Sequence, residues 1–481
     1  MGLSYLDKSL KEIHEALKNG YVTSEELTKE SIKRAHDYQG ELNSFVTILD
    51  DAKEKEVTDN VLSGIPCAVK DNLATKDILT TASSNILKDY VPVFDATAVK
   101  KLKESGAVII GKTVLDELAM GGTGTTGHTG IVRNPWDVTR MIGGSSAGSA
   151  SAVAKGIVPY ALGSDTGDSI RKPAGYGGIV GYKPTYGLIS RWGLFAFASS
   201  LDHVGCFAKT VEDAAYVIDN LKGIDSNDMT SFNSKDINIV SNLNNDIKGK
   251  KLFYIKEIVD ELKDDKKYMD NFNKVLDYLK ELGVEVKEES IDKKILNGIY
   301  PSYMAISCAE ATSNNSNLTG IPFGNRKVGL TPDEVMINTR TEGFSELIRR
   351  RFVIGSFILQ KENQEKLFLN AGRIRRLIVD KMTSLFENYD GCILPNSGSI
   401  APHFDDEMDR LSEKYLLLEN HLAIGNFGGF PSITIPSGLV DNMPVAINIT
   451  GPIMSDDKVF NIAKKLEEKI GFVPLSLKEE K

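Results

Sequence analysis

Three short segments hold the residues whose types could perform acyl-transfer chemistry, namely residues 64–72, 143–150 and 163–171. The first ends an apolar run at Lys70, and the other two set Ser145 and Ser169 among glycines. A lysine in a dry setting loses proton affinity because burial disfavours its charged form, so it can serve as a base. A serine hydroxyl needs such a base, together with backbone donors aimed at the developing oxyanion. Glycine-rich backbone offers bare N–H groups of this kind.

Each of these signals has a plainer interpretation when it is taken alone. A lysine at a strand end often extends its ammonium to solvent, and a Gly-Ser pair is often a turn or a helix cap. Residues 121–187 carry 16 of the 42 glycines, and such a stretch could be a flexible linker. The linker interpretation is disfavoured because the stretch also contains apolar residues typical of a buried core, among them Val153, Ile157 and Ile179. That stretch contains no phosphate-binding G-x-x-x-x-G-K-[ST] pattern. None of the six histidines lies beside the candidate serines in sequence, which disfavours a Ser-His-Asp triad.

Alternating strands and helices are predicted to hold these segments. Thr23 and Glu26 form a capping box for a helix near 24–38. The apolar run 65–69 predicts a buried strand, and Asp95 is predicted to cap a helix that ends at Gly106 before a strand at 107–110. Strand, helix and strand in succession indicate an α/β sheet. Further helices are predicted near 211–222, 303–313, 344–362 and 372–387, and further strands at 252–255, 284–286, 392–394, 433–435 and 446–449.

The 481 residues can be organised around one extended sheet. We predict a single domain over 1–481, built from four parts that follow one another along the chain. They are an N-terminal helical flank over about 1–60, a core over about 61–222, a peripheral α/β layer over about 250–300, and a C-terminal completion of the sheet over about 301–475.

Composition narrows the function classes. The formal net charge of -9 disfavours direct, strong binding of nucleic acid, which usually needs a basic excess. The four cysteines lie far apart without a CxxC pair, and no Cys, His or carboxylate cluster has ligand spacing, so neither disulfides nor a metal site are predicted. No apolar run approaches the roughly 18 residues of a membrane span. We therefore expect a cytoplasmic protein that makes no contact with a membrane.

Taken together, the three segments resemble the amidase signature family. The resemblance implies an α/β fold with one large mixed β-sheet flanked by helices on both faces. It also implies a triad in which Ser169 attacks an amide carbonyl, Ser145 lies in a cis peptide, and neutral Lys70 takes the proton through Ser145. The oxyanion hole would be formed by backbone N–H groups from Thr166, Gly167, Asp168 and Ser169.

Within that family, residues 191–202 and 309–314 look like the A subunits of glutamyl-tRNA(Gln) amidotransferases. This narrower resemblance implies a glutaminase that passes ammonia to a partner, which amidates Glu-tRNA(Gln) or alternatively Asp-tRNA(Asn). The implied partners are subunits B and C in a heterotrimer, with charged tRNA, ATP and magnesium handled by the partner subunit. No cofactor is expected in this chain.

The same resemblance assigns the substrate contacts. Tyr303 and Arg351 match the tyrosine and arginine that hold glutamine, and a guanidinium is well suited to pair with the carboxylate of an amino acid. Two residues depart from the family pattern: Glu419 stands where an aspartate faces the substrate amine, and Asp168 stands where glycine is usual. A carboxylate at position 168 that faced the oxyanion would repel it. A milder change is Ala147, where glycine is common.

Two other functions remain open at this point. One is a free-standing amidase that acts on another small amide. The other is a non-catalytic scaffold whose oxyanion hole is blocked by Asp168.

Overall fold

An eleven-stranded β-sheet runs through the computed structural model, which describes residues 4–407 and 412–477. In chain order the strands are β1 (Phe45–Ile48), β2 (Pro66–Lys70), β3 (Val108–Thr113), β4 (Arg133–Asn134), β5 (Asp137–Met141), β6 (Tyr160–Asp165), β7 (Val180–Lys183), β8 (His203–Ala208), β9 (Lys251–Ile255), β10 (Glu285–Glu289), β11 (Gly391–Pro395), β12 (Ser432–Val440) and β13 (Met443–Thr450). Strands β4 and β5 form a separate two-stranded sheet.

The large sheet is mixed, in the order β1-β3-β2-β6-β8-β7-β12-β13-β11-β9-β10. Strand β2 runs parallel to both β3 and β6, whereas β6 runs antiparallel to β8. This arrangement brings the carboxyl ends of β2 and β6 to the same edge of the sheet. Lys70 ends β2 and Asp165 ends β6, so two of the three segments with candidate chemistry meet at that edge.

Apolar clusters cover both faces of the sheet, because neighbouring residues of a strand point to opposite sides. In β2, Cys67 and Val69 belong to one buried cluster and Ala68 belongs to another. In β6, Leu162 and Ala161 divide between the same two clusters. The predicted α/β fold, with one large mixed sheet and helices on both faces, is confirmed.

Several of the helices pack on these strands, and others pack on neighbouring helices. In chain order they are α1 (Leu10–Lys18), α2 (Ser24–Leu42), α3 (Thr97–Glu104), α4 (Ala147–Ala154), α5 (Arg171–Gly177), α6 (Val211–Leu221), α7 (Ile239–Asn242), α8 (Lys256–Val259), α9 (Lys266–Glu281), α10 (Lys293–Leu296), α11 (Ile299–Asn314), α12 (Pro332–Gly343), α13 (Glu346–Leu359), α14 (Lys361–Gln364), α15 (Asn370–Phe386), α16 (Glu413–Leu418), α17 (Ala423–Phe427) and α18 (Asp456–Ile470). The capping box of Thr23 and Glu26 is present at the start of α2, as predicted.

One prediction about local structure needs correction. Asp95 does not cap α3, whose N-cap is Ala96 and has no side-chain cap hydrogen bond. The Asp95 carboxylate instead accepts the N–H of Lys76 at 2.8 Å and pairs with Lys103 at 2.7 Å, so its oxygens are used by tertiary contacts. The segment at about 250–300, predicted as a peripheral α/β layer, contributes β9 and β10 to one end of the main sheet, where β9 runs parallel to β11.

Candidate active site

Lys70 lies at the carboxyl end of β2 and has no exposed surface. Its Nζ is 2.8 Å from Ser145 Oγ and 2.8 Å from Ser164 Oγ, and it is 3.3 Å from the carbonyl oxygen of Ser164. Asn72 donates from its side-chain amide to Ser164 Oγ at 3.0 Å, which fixes that hydroxyl. The Lys70 ammonium is therefore held by two serine hydroxyls and one backbone carbonyl, and none of these three contacts is with a carboxylate.

The protonation state of Lys70 is set mainly by its burial. Burial lowers the pKa of Lys70 from 10.5 to about 7, although the negative charges of Asp116, Asp165 and Asp202 oppose this change. Near neutral pH a large share of the lysine is uncharged. An uncharged Nζ can accept the proton of the Ser145 hydroxyl across the 2.8 Å contact.

Ser145 follows a cis peptide bond between Gly144 and Ser145, as the family resemblance implies. Asp116 lies directly against this bond: a Cβ added to Gly144 would lie 2.0 Å from Asp116 Oδ2. The N–H of Asp116 donates to the Ser145 carbonyl at 3.1 Å. Its carboxylate accepts the N–H groups of the glycine- and threonine-rich turn that runs through Thr123, Gly124, Thr125 and Thr126. Asp116 thus ties this turn to the backbone that presents Ser145.

Ser169 lies in the loop between β6 and α5 and is 3% exposed. Its carbonyl accepts the N–H of Ser146 at 3.2 Å, so the loop is bound to the residue that follows Ser145. Within residues 4–407 and 412–477, Ser169 Oγ makes no hydrogen bond to a protein atom, so the Ser145–Ser169 contact that the implied proton path needs is not formed in this structure. Catalytic hydrogen bonds of this kind commonly tighten only when substrate is bound.

The loop before α5 offers backbone donors. In the described part of the chain, the N–H groups of Thr166, Gly167, Asp168 and Ser169 donate to no protein acceptor. Tyr303 covers the loop so closely that a Cβ on Gly167 would lie 2.9 Å from its ring, which explains the need for glycine there. The free N–H groups are suited to hold an oxyanion.

Buried ion pairing and hydrogen bonding make this loop rigid. Asp165 receives two bonds from the Arg171 guanidinium, at 2.9 Å and 3.1 Å, and one from the N–H of Ile170 at 2.9 Å. Burial alone would raise the pKa of Asp165, but Arg171 outweighs it and lowers that pKa well below its ordinary value. The Thr166 hydroxyl donates to Asp202 at 2.7 Å, while burial raises the pKa of Asp202 to about 6.

A pocket of about 420 Å³ opens beside this loop. All three predicted substrate-binding residues, Tyr303, Arg351 and Glu419, line it, and Asp168 lines it too. Arg351 lies over the Phe197 ring at 5.7 Å, and its buried Nε has no hydrogen-bond partner among the described residues. A guanidinium with unused donors is the group that would bind a substrate carboxylate.

Lys172 joins the two acidic residues of the pocket, and no sequence motif had pointed to it. Its Nζ lies 3.0 Å from Asp168 Oδ2 and 3.1 Å from Glu419 Oε2. Burial disfavours the charge of Lys172, but Asp168 and Glu419 outweigh it and raise the pKa of Lys172 well above its ordinary value. Burial would likewise raise the pKa of Glu419, but Lys172 and the N–H of Gly398 outweigh it and lower that pKa.

Three more residues of the site were not predicted from the sequence. Ser164 and Asp116 touch the lysine or its neighbours, and Asn426 binds both Asp165 and Arg171. Ser164 lies within one of the motifs and had a visible signal. Asp116 and Asn426 had none, because their partners come from distant parts of the chain.

A phosphate-binding sequence pattern occurs at residues 106–113, but it does not form a phosphate site in the structure. Residues 106–113 match the phosphate-binding pattern G-x-x-x-x-G-K-[ST], but most of them form β3 instead of a loop that leads into a helix. Lys112 has no exposed surface, and its ammonium donates to the Leu73 carbonyl and to the hydroxyls of Thr75 and Thr80. This lysine has a structural role.

Metal ligation and membrane insertion have no counterpart in the described residues. Residues 4–407 and 412–477 contain no group of three or more His, Cys, Asp or Glu side chains placed to hold a metal ion. Across the same two ranges, no helix has the length and apolar character needed to cross a membrane.

The chain is similar to known proteins over nearly its whole length. Residues 26–460 match the sequence profile of the family described as Amidase. The chain is 38% identical over 476 residues to the A subunit of glutamyl-tRNA(Gln) amidotransferase from Lactobacillus gasseri, covering 98% of each chain. It is also 38% identical over 480 residues to the corresponding protein of Streptococcus pneumoniae, again covering 98% of each. The crystal structure of the A subunit from Thermotoga maritima matches with a TM-score of 0.82 and 36% identity, covering 97% of this chain and 96% of that one.

Proposed function

The chain belongs to the amidase family, and from that premise we propose that it is the glutamine-hydrolysing A subunit of a glutamyl-tRNA(Gln) amidotransferase. Similarity at 38% identity over 98% of both chains supports this function. The observation that carries it is the pocket itself, in which Arg351 lines the same cavity as Asp168, the residue that precedes the candidate nucleophile Ser169.

We propose the following course for the reaction. The substrate carboxylate binds Arg351, and the Ser169 hydroxyl attacks the side-chain amide carbonyl of glutamine. The proton of Ser169 passes to Ser145, whose own proton passes to Lys70. The negative charge on the carbonyl oxygen is held by the free backbone N–H groups of residues 166–169.

Collapse of this tetrahedral intermediate breaks the C–N bond. Lys70 returns the proton through Ser145 to the leaving nitrogen, which departs as ammonia and leaves a glutamyl ester on Ser169. Water then attacks the ester while Lys70 again acts as the base, releasing glutamate and the free serine. The pKa of about 7 for Lys70 supports both steps, because the lysine must alternate between its two protonation states.

We propose that this chain uses no cofactor of its own and works with subunits B and C in a heterotrimer. ATP, magnesium and charged tRNA would act at the partner subunit, which takes up the ammonia and amidates Glu-tRNA(Gln) or alternatively Asp-tRNA(Asn). The net charge of -9 agrees with leaving tRNA contacts to that partner. A cytoplasmic location is proposed as well, and the four free, buried cysteines agree with a reducing compartment.

The test is an assay of the chain co-purified with subunits B and C. Glutamate release from glutamine and formation of Gln-tRNA are measured for wild type and Ser169→Ala, with free ammonia supplied in a parallel reaction. We expect Ser169→Ala to abolish glutamine-dependent amidation, whereas ammonia still supports it. If wild type releases no glutamate in the assembled enzyme, the proposal is wrong.

A second candidate function, a free-standing amidase, is favoured by one observation. Glu419, the residue expected to face a substrate amine, is already paired with Lys172 at 3.1 Å and accepts the N–H of Gly398 at 2.9 Å. A substrate that carries no amine would not compete for this carboxylate. Rapid hydrolysis of simple amides by the isolated chain, without any response to glutamine, would support this function over the first.

A further inference from the structure

A carboxylate stands inside the loop that is proposed to hold the oxyanion. Asp168 contributes one of the free N–H groups of this loop, and its side chain is 21% exposed on the wall of the pocket. A negative charge near a developing oxyanion raises the energy of the transition state. The site can therefore work well only if this carboxylate is both neutralised and kept to one side.

Lys172 has the geometry to do both. Its ammonium lies 3.0 Å from Asp168 Oδ2, as an i,i+4 ion pair that crosses the start of α5. The lysine is itself held in place, because it also donates to the carbonyl of Glu419 at 2.6 Å and pairs with the Glu419 carboxylate at 3.1 Å. Only 8% of Lys172 is exposed, so water screens these interactions weakly.

We propose that Lys172 is a positioning residue of the hydrolytic site, whose ammonium draws the Asp168 carboxylate away from the N–H groups of Gly167, Asp168 and Ser169. The inference rests on the proposed function only in treating Ser169 as the nucleophile. Asp168 and Lys172 then act as a matched pair: the lysine is required because the aspartate is present. Removing the lysine alone leaves an unpaired, mostly buried carboxylate, whereas removing both leaves none.

The test compares Lys172→Gln, Asp168→Gly and the double variant Asp168→Gly/Lys172→Gln with wild type. The readout is the rate at which a fluorophosphonate labels Ser169, followed by the mass of the intact protein. Phosphonylation of a serine also develops charge on an oxygen in the oxyanion hole, so this rate does not depend on which amide is the natural substrate. Ser169→Ala gives the background, and Lys469→Gln, which removes a lysine paired with Glu281 elsewhere on the chain, is the control for loss of one positive charge.

We expect Lys172→Gln to lower the labelling rate on the order of 100-fold, the loss typical when one oxyanion donor is removed. The double variant should recover to within about 5-fold of wild type, because the offending carboxylate has gone. Asp168→Gly alone should stay in the same range as the double variant. A double variant as slow as Lys172→Gln, or a Lys172→Gln as fast as wild type, would overturn the proposal.

A second variant and a second readout distinguish loss of the Lys172 charge from a failure of the variant to fold. Lys172→Met keeps the length of the side chain without its charge, and it replaces Lys172→Gln if that variant does not fold. In the assembled enzyme, Lys172→Gln should lower kcat for glutamine while KM stays equal or falls, because Glu419 is freed for the substrate amine. If Ser169 is labelled as expected but the enzyme hydrolyses no glutamine, the proposed function is wrong and the role of Lys172 is still supported. If Lys172→Gln raises KM for glutamine and leaves kcat unchanged, the role of Lys172 is wrong and the proposed function is unaffected.

Discussion

The pH dependence of Ser169 reactivity offers the sharpest test of the proposed mechanism. Lowering the pKa of Lys70 from 10.5 to about 7 corresponds to a penalty of about 5 kcal/mol on its charged form, at 1.36 kcal/mol per pH unit. Only the neutral lysine can take a proton from Ser145. It forms about a tenth of the population at pH 6, half at pH 7 and nine-tenths at pH 8.

The rate of Ser169 labelling by a fluorophosphonate, and kcat/KM for glutamine in the assembled enzyme, should therefore rise about tenfold between pH 6 and pH 8. The rise should follow a single proton and reach its midpoint near the pKa of about 7. Lys70→Arg is the matched control. An arginine stays protonated throughout this range, so we expect the labelling rate to fall by at least about 100-fold. The remaining rate should show no rise centred near pH 7.

Two results would contradict this mechanism. A labelling rate that is constant from pH 6 to pH 9 would mean that no base with a pKa near 7 controls Ser169. A midpoint near pH 10 would mean that Lys70 keeps its ordinary proton affinity, so that burial does not discharge it.

The same contacts support three further predictions. Lys70→Met should abolish labelling of Ser169 yet raise the thermal unfolding midpoint at pH 7, because it removes a lysine that loses its charge when the chain folds. The pKa of Lys70 is lower in the folded than in the unfolded protein, so calorimetry should find the increase in unfolding midpoint largest below pH 7 and smaller toward pH 10. Arg351→Met should raise KM for glutamine about 10- to 100-fold with little change in kcat, whereas the exposed Arg350→Met should change neither. Gly144→Ala should yield little folded protein in a solubility and circular-dichroism assay, because its Cβ would lie 2.0 Å from a carboxylate oxygen, whereas Gly372→Ala, with open space around its Cβ, should fold normally.

Much of the fold was predictable because its signals are local. The capping box at Thr23 predicted the start of α2, and apolar runs predicted β2, β3 and the C-terminal strands. The glycine-rich region was harder to interpret, since β6, β7 and α5 alternate there over very short distances. The failure at Asp95 has a tertiary cause: its carboxylate is used by Lys103 and by the backbone of Lys76, and neither contact can be read from capping rules.

The predicted site residues illustrate a different limit. In the sequence, Asp168 is one of three departures from the family pattern, and the motif alone leaves open the direction of its side chain relative to the oxyanion. That direction depends on Lys172, whose i,i+4 spacing from Asp168 is visible in the sequence, and on Glu419, whose approach is not. A charged residue in an unexpected position is therefore best assessed together with every opposite charge that lies one helical turn away.

Three aspartates lie close enough to Lys70 to favour its charged form, yet the pKa of Lys70 is lowered. Each of these carboxylates is already used by other groups. Asp116 accepts the N–H groups of a turn, Asp165 is paired with Arg171, and Asp202 accepts a threonine hydroxyl and two backbone N–H groups. Donors that stabilise a carboxylate also reduce the field it projects on a neighbour, and so burial dominates the pKa of Lys70. Such an arrangement supports the proposed role of Lys70 as a base among acidic residues.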